Sequence, residues 1–128
     1  MIELTKLGER YSGNRGEILN LLERECGGVG IIWSKAGSRR SDHSHVADGH
    51  WLYVLSGKME YWERPVGSVE KPEHATVNEG EMVWTGPGIE HATIFPVDTV
   101  LISMSLRPRD KSHHEQDVVR LAEPLPIG

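Results

Sequence analysis

Three histidines lie within nine residues of the chain, in the segment Asp42–His50 (DHSHVADGH). His43 and His45 are two residues apart, so on a β-strand their side chains project from the same face. Asp48-Gly49 favours a tight turn, after which His50 begins the next strand. Buried imidazoles need a partner, and a cation can use their lone pairs directly. The pattern therefore predicts a metal centre at the mouth of an apolar interior.

A fourth histidine, His91, opens another predicted strand. Pro87-Gly88 sets a turn before it, and Thr93 and Phe95 continue its face beyond it. If the three histidine-bearing strands lie side by side, the four rings can meet at one point. We therefore predict that one divalent ion is bound by His43, His45, His50 and His91. Alternatively, His50 does not bind the ion itself but contacts the ligating histidines or the substrate.

Two arginines lead into the first histidine strand and form a small basic spot. One of them, Arg39 or Arg40, could line the cavity mouth and pair with a carboxylate or phosphate; otherwise both are solvated. Thr93 is a candidate wall residue beyond His91. With His50, these side chains are our candidates for catalysis, and they are compatible with a small, anionic substrate.

The composition excludes several classes of protein. The chain has 128 residues, 38% of them hydrophobic and 26% charged, which fits one globular domain. Its formal charge of −5 argues against nucleic-acid binding, and it has no apolar run that could span a membrane. The single cysteine, Cys26, excludes an internal disulfide, and we expect it to pack as a small hydrophobe. The start of the chain does not resemble a signal peptide, so we expect a cytoplasmic protein.

Short segments with a period near two, separated by spread glycines and prolines, predict an all-β domain. We expect eight to eleven strands in a sandwich or barrel, with a possible last strand in DVVRL and an extended, loosely held tail over residues 121–128. Residues 16–25 are compatible with a helix or with a strand and a turn. The segment RPRDKSHHEQD is predicted to be a polar loop in which His113 and His114 are solvated. Glu90, beside His91, is predicted to lie on the surface.

The strand HWLYVLSG has two apolar faces. His50, Leu52 and Val54 share the predicted inner face. Trp51, Tyr53 and Leu55 form the opposite one. An apolar outer sheet surface often pairs two copies of a domain, so we expect a homodimer.

Two segments resemble the paired motifs of the cupin family. They read Gly37-x5-His43-x-His45-x4-His50-x6-Gly57 and Gly80-x5-Gly86-x-Gly88-x2-His91. His50 stands where cupins most often carry glutamate, Gly86 where proline is usual, and Phe95 where asparagine is frequent. The resemblance implies a single cupin-type β-sandwich, or jelly-roll barrel, over residues 1–128.

The chain more closely resembles the small RmlC-type cupins of nucleotide-sugar and polysaccharide pathways. The similar segments are NRGEILNLLE, SKAGSRRSDHSH, YVLSGKMEYWERPVGS and DTVLISMSLRPRD, in a match that runs from about Asn14 to Arg120. The pattern is also similar to the zinc cupins that rearrange hydroxylamine esters into hydrazines. Some RmlC-type proteins are metal-free sugar 3,5-epimerases that use a histidine as general base, which remains the alternative to a metal site.

Four neutral imidazoles leave the charge of a bound dication near +2, which makes a strong Lewis acid and disfavours high-valent iron. Affinity and availability favour zinc, while iron, nickel and cobalt are compatible. We therefore expect isomerisation, epimerisation or rearrangement of a small substrate with a carbonyl or carboxylate. An iron-dependent dioxygenase and a non-catalytic metabolite-binding module are the alternatives, since a cupin fold does not fix the chemistry.

Overall fold

The computed structural model describes residues 1–128 and contains twelve β-strands and one short α-helix. The strands are β1 Glu3–Lys6, β2 Tyr11–Gly13, β3 Gly16–Ile18, β4 Gly28–Ser34, β5 Arg39–His45, β6 His50–Ser56, β7 Lys58–Pro65, β8 Glu73–Asn78, β9 Glu81–Thr85, β10 Ile89–Ile94, β11 Thr99–Ser105 and β12 Val118–Arg120. The helix, α1, is Lys111–Asp117 and precedes β12. The all-β prediction is confirmed. The strand count exceeds our range because the short β2–β3 hairpin was not foreseen.

Two five-stranded antiparallel sheets make up the sandwich. Their strand orders are β1-β9-β6-β11-β4 and β12-β5-β10-β7-β8, and β2 and β3 form a separate hairpin. The predicted β-sandwich is confirmed. The helix has seven residues, and no helix of the structure is long and apolar enough to cross a membrane.

The main core lies between the sheets and follows the predicted alternation of side chains. On β6, Leu52 and Val54 point inward on the same face as His50, and all three are buried. Eight apolar residues form this core: Leu52, Val54, Met59, Tyr61, Val77, Val83, Phe95 and Leu101. The sandwich is therefore filled by apolar side chains beside the histidines, which leaves the rings at one end of the interior.

The outer face of the first sheet is covered by the chain's own N-terminal segment. Tyr53 is only 6% exposed and packs with Met82 and Met104 under Leu19, Leu21 and Leu22. Of the two alternatives for residues 16–25, the structure shows a strand, β3, followed by an irregular segment, and no helix. Of the apolar face on which we based the homodimer, Tyr53 is thus covered by the same chain, while Leu55 is exposed; the homodimer stays a prediction.

Several predictions for the C-terminal part and the surface are wrong. The predicted polar loop contains α1, and the tail is fixed at Leu125, which is buried. The Leu125 amide donates to Asp42 Oδ1 at 3.0 Å, and its carbonyl accepts from Arg39 Nη2 at 2.9 Å. Cys26 is exposed instead of packed. The rest of residues 121–128 has no regular secondary structure, as predicted.

Candidate metal centre

The four predicted ligands come from both sheets of the sandwich. β5 and β10 are neighbours, and His43 lies directly opposite His91 in their antiparallel register. β6, which carries His50, belongs to the other sheet. Our assumption that all three strands lie side by side is therefore wrong for β6. The rings still approach one another, because the sheets face each other across the same interior.

A β-bulge just before His43 re-aims the end of β5. The register between β5 and β10 shifts after His91, so Asp42 has no partner. Ser41 and Asp42 have φ values of 76° and 57°, a conformation that side-chain-bearing residues rarely adopt. Asp42 is held there by Arg39, whose Nε donates to Oδ2 at 2.8 Å. The bulge and this ion pair together position the strand from which His43 and His45 project.

Three of the four imidazoles form a compact cluster. The candidate ligand atoms of His43, His45 and His91 all lie within 4.8 Å of one another. The ring centroid of His43 is 4.9 Å from that of His45 and 4.8 Å from that of His91. His50 lies outside this group of three, with its centroid 5.3 Å from His91 and 5.8 Å from His45.

Three buried ring nitrogens have no hydrogen-bond partner: His45 Nε2 and His91 Nε2 in the cluster, and His50 Nδ1 beside it. The opposite nitrogens of two rings face acceptors, since His45 Nδ1 is 3.2 Å from Asp117 Oδ2 and His91 Nδ1 is 3.3 Å from the Ile89 carbonyl. Protons on those Nδ1 atoms leave the Nε2 lone pairs free, as in ligating histidines. An unsatisfied buried polar atom costs about 1–3 kcal/mol, so these residues fit a cation that uses the lone pairs.

The histidines of the cluster are neutral at physiological pH. Burial lowers the pKa of His43 to about 3, with the neighbouring His91 adding to the effect. Burial likewise lowers the pKa of His91 to about 4. The pKa values of His45 and His50 are also lowered, in both cases first by burial and then by nearby positive or imidazole groups such as Arg109 and His91. Neutral rings are the form that coordinates metals.

A carboxylate network lies behind His45. Asp117, at the end of α1, also accepts hydrogen bonds from the amides of Ala47 at 2.8 Å and Asp48 at 3.1 Å. The buried Asp48 accepts from Arg109 Nε at 2.6 Å. His45, Asp48 and Asp117 could also hold an ion by distance alone. Their oxygens already have these donors, so His43, His45 and His91 are the better candidate set for holding an ion.

The cluster opens into a cavity of about 270 Å³. Among the predicted substrate-binding residues, Arg40 and Thr93 line this cavity, but Arg39 does not. Arg39 instead pairs with Asp42 at 2.6 Å. The complete lining is Ile32, Arg40, Ser41, His43, His50, Leu52, His91, Thr93, Phe95, Leu101, Ser103, Arg109 and His114. No carboxylate is among these residues.

Two polar side chains of the cavity, Arg109 and His114, were not among the predicted site residues, and Glu90 was predicted on the wrong side of the strand. Arg109 was not considered, and His114 is half-buried with its ring centroid 5.7 Å from that of His45. Asp110 before the helix, and the three-residue spacing of His114 and Asp117, could have indicated a helical turn that faces the site. Glu90 is buried and paired with Arg64 at 2.6 Å, not a surface residue.

Comparison with known proteins shows the fold through solved structures. No protein-family model matches the chain. No curated protein matches it either. A 3,4-ketoisomerase from Thermoanaerobacterium thermosaccharolyticum, solved as a point mutant with TDP-4-keto-6-deoxyglucose, matches with a TM-score of 0.73 and 15% identity, over 94% of this chain and 87% of that one.

Two further neighbours have the same architecture. A dTDP-4-dehydrorhamnose 3,5-epimerase from Sulfolobus tokodaii has a TM-score of 0.75 at 17% identity, over 99% of this chain and 85% of that chain. A 3,4-ketoisomerase from Helicobacter canadensis has a TM-score of 0.76 at 14% identity, over 94% and 90% of the two chains. The expectation from the sequence is thus confirmed at the level of the fold: the chain has the same cupin-type β-sandwich as these two ketoisomerases and this epimerase.

Proposed function

We propose that this chain is a metal-dependent isomerase or epimerase that acts on an anionic small molecule with a carbonyl group, of the nucleotide-sugar class. The observation that carries the proposal is the set of three buried, unpartnered imidazole nitrogens, on His45, His50 and His91, at or beside a cavity that also contains two arginines. A cation would satisfy the Nε2 atoms of His45 and His91, and the arginines suit an anionic substrate.

The metal would be held by His43, His45 and His91, whose candidate ligand atoms are close together. Zinc suits three neutral nitrogen donors, and iron, nickel or cobalt would also be compatible. Such an ion supplies Lewis-acid chemistry, in which a substrate carbonyl is polarised and the negative charge that develops on its oxygen is stabilised. Three protein ligands leave positions open for water or substrate.

The chain's own side chains bind and enclose the substrate. Ile32, Phe95 and Leu101 provide apolar walls that exclude water, while Arg40 and Arg109 attract the anionic part. His50 lines the same cavity, and its buried Nδ1 has no partner. We assign this atom to accepting the proton from the substrate carbon next to the carbonyl, as a neutral imidazole can.

The substrate class is supported by the neighbours of the fold. One of them was solved with TDP-4-keto-6-deoxyglucose, which has a ketone flanked by C–H bonds and a diphosphate. Removal of a proton beside the ketone and its return at another atom or face accounts for both ketoisomerisation and epimerisation. A cavity with basic and imidazole side chains and no carboxylate suits such a molecule.

The test combines metal analysis with proton exchange. Protein purified without added metal is analysed by mass spectrometry, and deuterium incorporation into TDP-4-keto-6-deoxyglucose in D₂O is followed by NMR. We expect His43→Ala and His91→Ala to lose both the ion and the exchange. The matched control His74→Ala changes an exposed histidine on β8 and should keep both.

The variant His50→Gln separates the two roles considered for His50. If His50→Gln keeps the metal but loses proton exchange, His50 acts as the proton acceptor. If the variant loses the metal, His50 is a fourth ligand. Exchange that survives complete removal of metal refutes the metal-dependent mechanism and leaves a histidine base. Oxygen consumption by the iron-loaded protein in place of exchange would refute isomerisation and favour the dioxygenase.

A further inference from the structure

The two sheets of the sandwich end in four edge strands, and three of these carry charged side chains. The edges are β1 and β4 in the first sheet, and β12 and β8 in the second. Glu3 and Lys6 lie on β1, Glu73 lies on β8 and Arg120 lies on β12. Charged side chains on an edge strand discourage its pairing with another chain. Three of the four edges are therefore protected against association.

The fourth edge, β4, lacks this protection. It reads GVGIIWS over Gly28–Ser34, with no charged residue and no proline. Val29, Ile31 and Trp33 alternate along its outer face and are 68%, 53% and 68% exposed. The neighbouring strand β11 is also free of charge, although charged residues make up 26% of the chain. An uncharged edge of seven residues with exposed apolar side chains is a predicted site of strand pairing.

The backbone of β4 is free along its outer edge. The Trp33 carbonyl accepts a hydrogen bond from Arg40 Nη2 at 3.1 Å, and Arg40 lies on β5 of the other sheet, so this carbonyl points away from β11. In an antiparallel sheet, alternate residues direct their N–H and C=O groups to the same side. The groups of Val29 and Ile31 therefore also point away from β11, and no strand of the sheet lies beyond β4 to pair with them.

The sequence of β4 is complementary to itself. In an antiparallel pair of two copies centred on Ile31, this residue would face its own counterpart, and Val29 would face Trp33. Every opposed pair is then apolar, and no like charges meet. The Trp33 carbonyl can still accept a bond from the second strand, because a carbonyl oxygen has two lone pairs and Arg40 uses one. A second copy of the chain is thus the partner that this edge fits.

We propose that β4 pairs antiparallel with β4 of a second copy of this chain, about a two-fold axis at Ile31, so that two five-stranded sheets become one continuous sheet. This interface differs from the outer face of β6 that the sequence suggested, part of which the N-terminal segment covers. Ile32 points the opposite way from Ile31 and lines the imidazole cavity. The interface therefore lies directly behind one wall of the candidate site, and it does not depend on the proposed function.

The test is the mass of the full chain in solution, measured by analytical ultracentrifugation over a range of protein concentrations. We expect the parent to have twice the chain mass of 14.3 kDa. Ile31→Lys and Ile31→Glu should each have the mass of one chain, because each places two like charges opposite each other at the two-fold axis. Val69→Lys is the matched control and should stay dimeric, since Val69 is 95% exposed in the loop between β7 and β8.

An equal mixture of the two Ile31 variants at low salt is the sharpest test of the two-fold axis. Opposite charges would then face each other, so the mixture should recover the dimer mass that neither variant has alone. A parent that is monomeric at every concentration overturns the proposal. So does a dimer that persists in both variants, or a mixture that stays monomeric.

Circular dichroism checks that the Ile31 variants are folded. If they are not, Trp33→Gln keeps the test decisive, because Trp33 is more exposed than Ile31 and its replacement disturbs the single chain less. We expect Trp33→Gln to weaken dimerisation about tenfold or more, as the loss of a central aromatic contact does. Dimerisation equal to that of the parent would overturn the proposal.

Discussion

The buried histidines predict that the metal-free protein loses stability in mild acid. His91 is fully buried, and burial lowers its pKa from 6.5 to about 4. In the unfolded chain the ring takes up a proton near pH 6.5, whereas in the folded protein it does so only near pH 4. The unfolded state therefore binds more protons between these values, and the free energy of unfolding falls as the pH is lowered through this window.

The size of the effect follows from the two pKa values. Between pH 8 and pH 5, His91 alone should lower the free energy of unfolding by about 2 kcal/mol. His43 acts in the same direction, since its pKa is lowered to about 3. The aspartates whose pKa values are lowered, such as Asp42, lose their stabilising effect at lower pH than the histidines do. Glu63, whose pKa is raised by burial, acts in the opposite direction, so the effect of His91 is read from the difference between the parent and a His91 variant.

The assay is urea denaturation followed by tryptophan fluorescence at several pH values, with chelator present. We expect the stability of His91→Gln to change less between pH 8 and pH 5 than that of the parent, by about 2 kcal/mol. Val77→Ala is the control, because it removes a fully buried apolar group and should lower stability equally at each pH. The reasoning is refuted if the parent and His91→Gln have the same pH dependence.

Three other predictions concern the network behind the site, the main core and the covered outer face. Asp117→Asn should weaken zinc binding about 10- to 100-fold, because Asp117 orients His45; competition with a chromogenic chelator measures this. Tyr61→Phe should lower the free energy of unfolding, measured by chemical denaturation, by about 1–3 kcal/mol, because the Tyr61 hydroxyl donates to the buried Glu63 at 2.7 Å. Leu22→Ala should lower the free energy of unfolding by about 1–2 kcal/mol and increase the binding of a hydrophobic dye, because Leu22 packs over Tyr53, Met82 and Met104. Unchanged dye binding would argue against that packing.

The sequence predicted those features that depend on local alternation. The period-two pattern placed His50, Leu52 and Val54 on one inner face, and the structure buries all three. The assumption that the strands of His43 and His91 are neighbours is also confirmed, since the two residues lie opposite each other in the register of β5 and β10. Local patterns of this kind set the face of a residue, so the inward direction of the histidines could be inferred.

The predictions that were wrong concern contacts between segments that are distant in the sequence. Alternation cannot show which sheet contains β6, and so it could not show that His50 faces the other histidines across the interior. Alternation also predicted that Tyr53 lies on an exposed face, because the segment that covers Tyr53 is far away in the sequence. Arg109 and His114 enter the cavity only when α1 folds back over β5, and their polar surroundings in the sequence indicated a solvated loop.

The attachment of Leu125 to Asp42 bears on the order in which the site can form during synthesis. β5, which carries two of the histidines, lies between β10 and β12, so its neighbours are translated long after it. The amide that secures the bulge belongs to Leu125, which lies 83 residues further along the chain than Asp42. The bulge beside His43 can therefore be completed only after the segment as far as Leu125 has been synthesised, and we expect the histidine cluster to form late in folding.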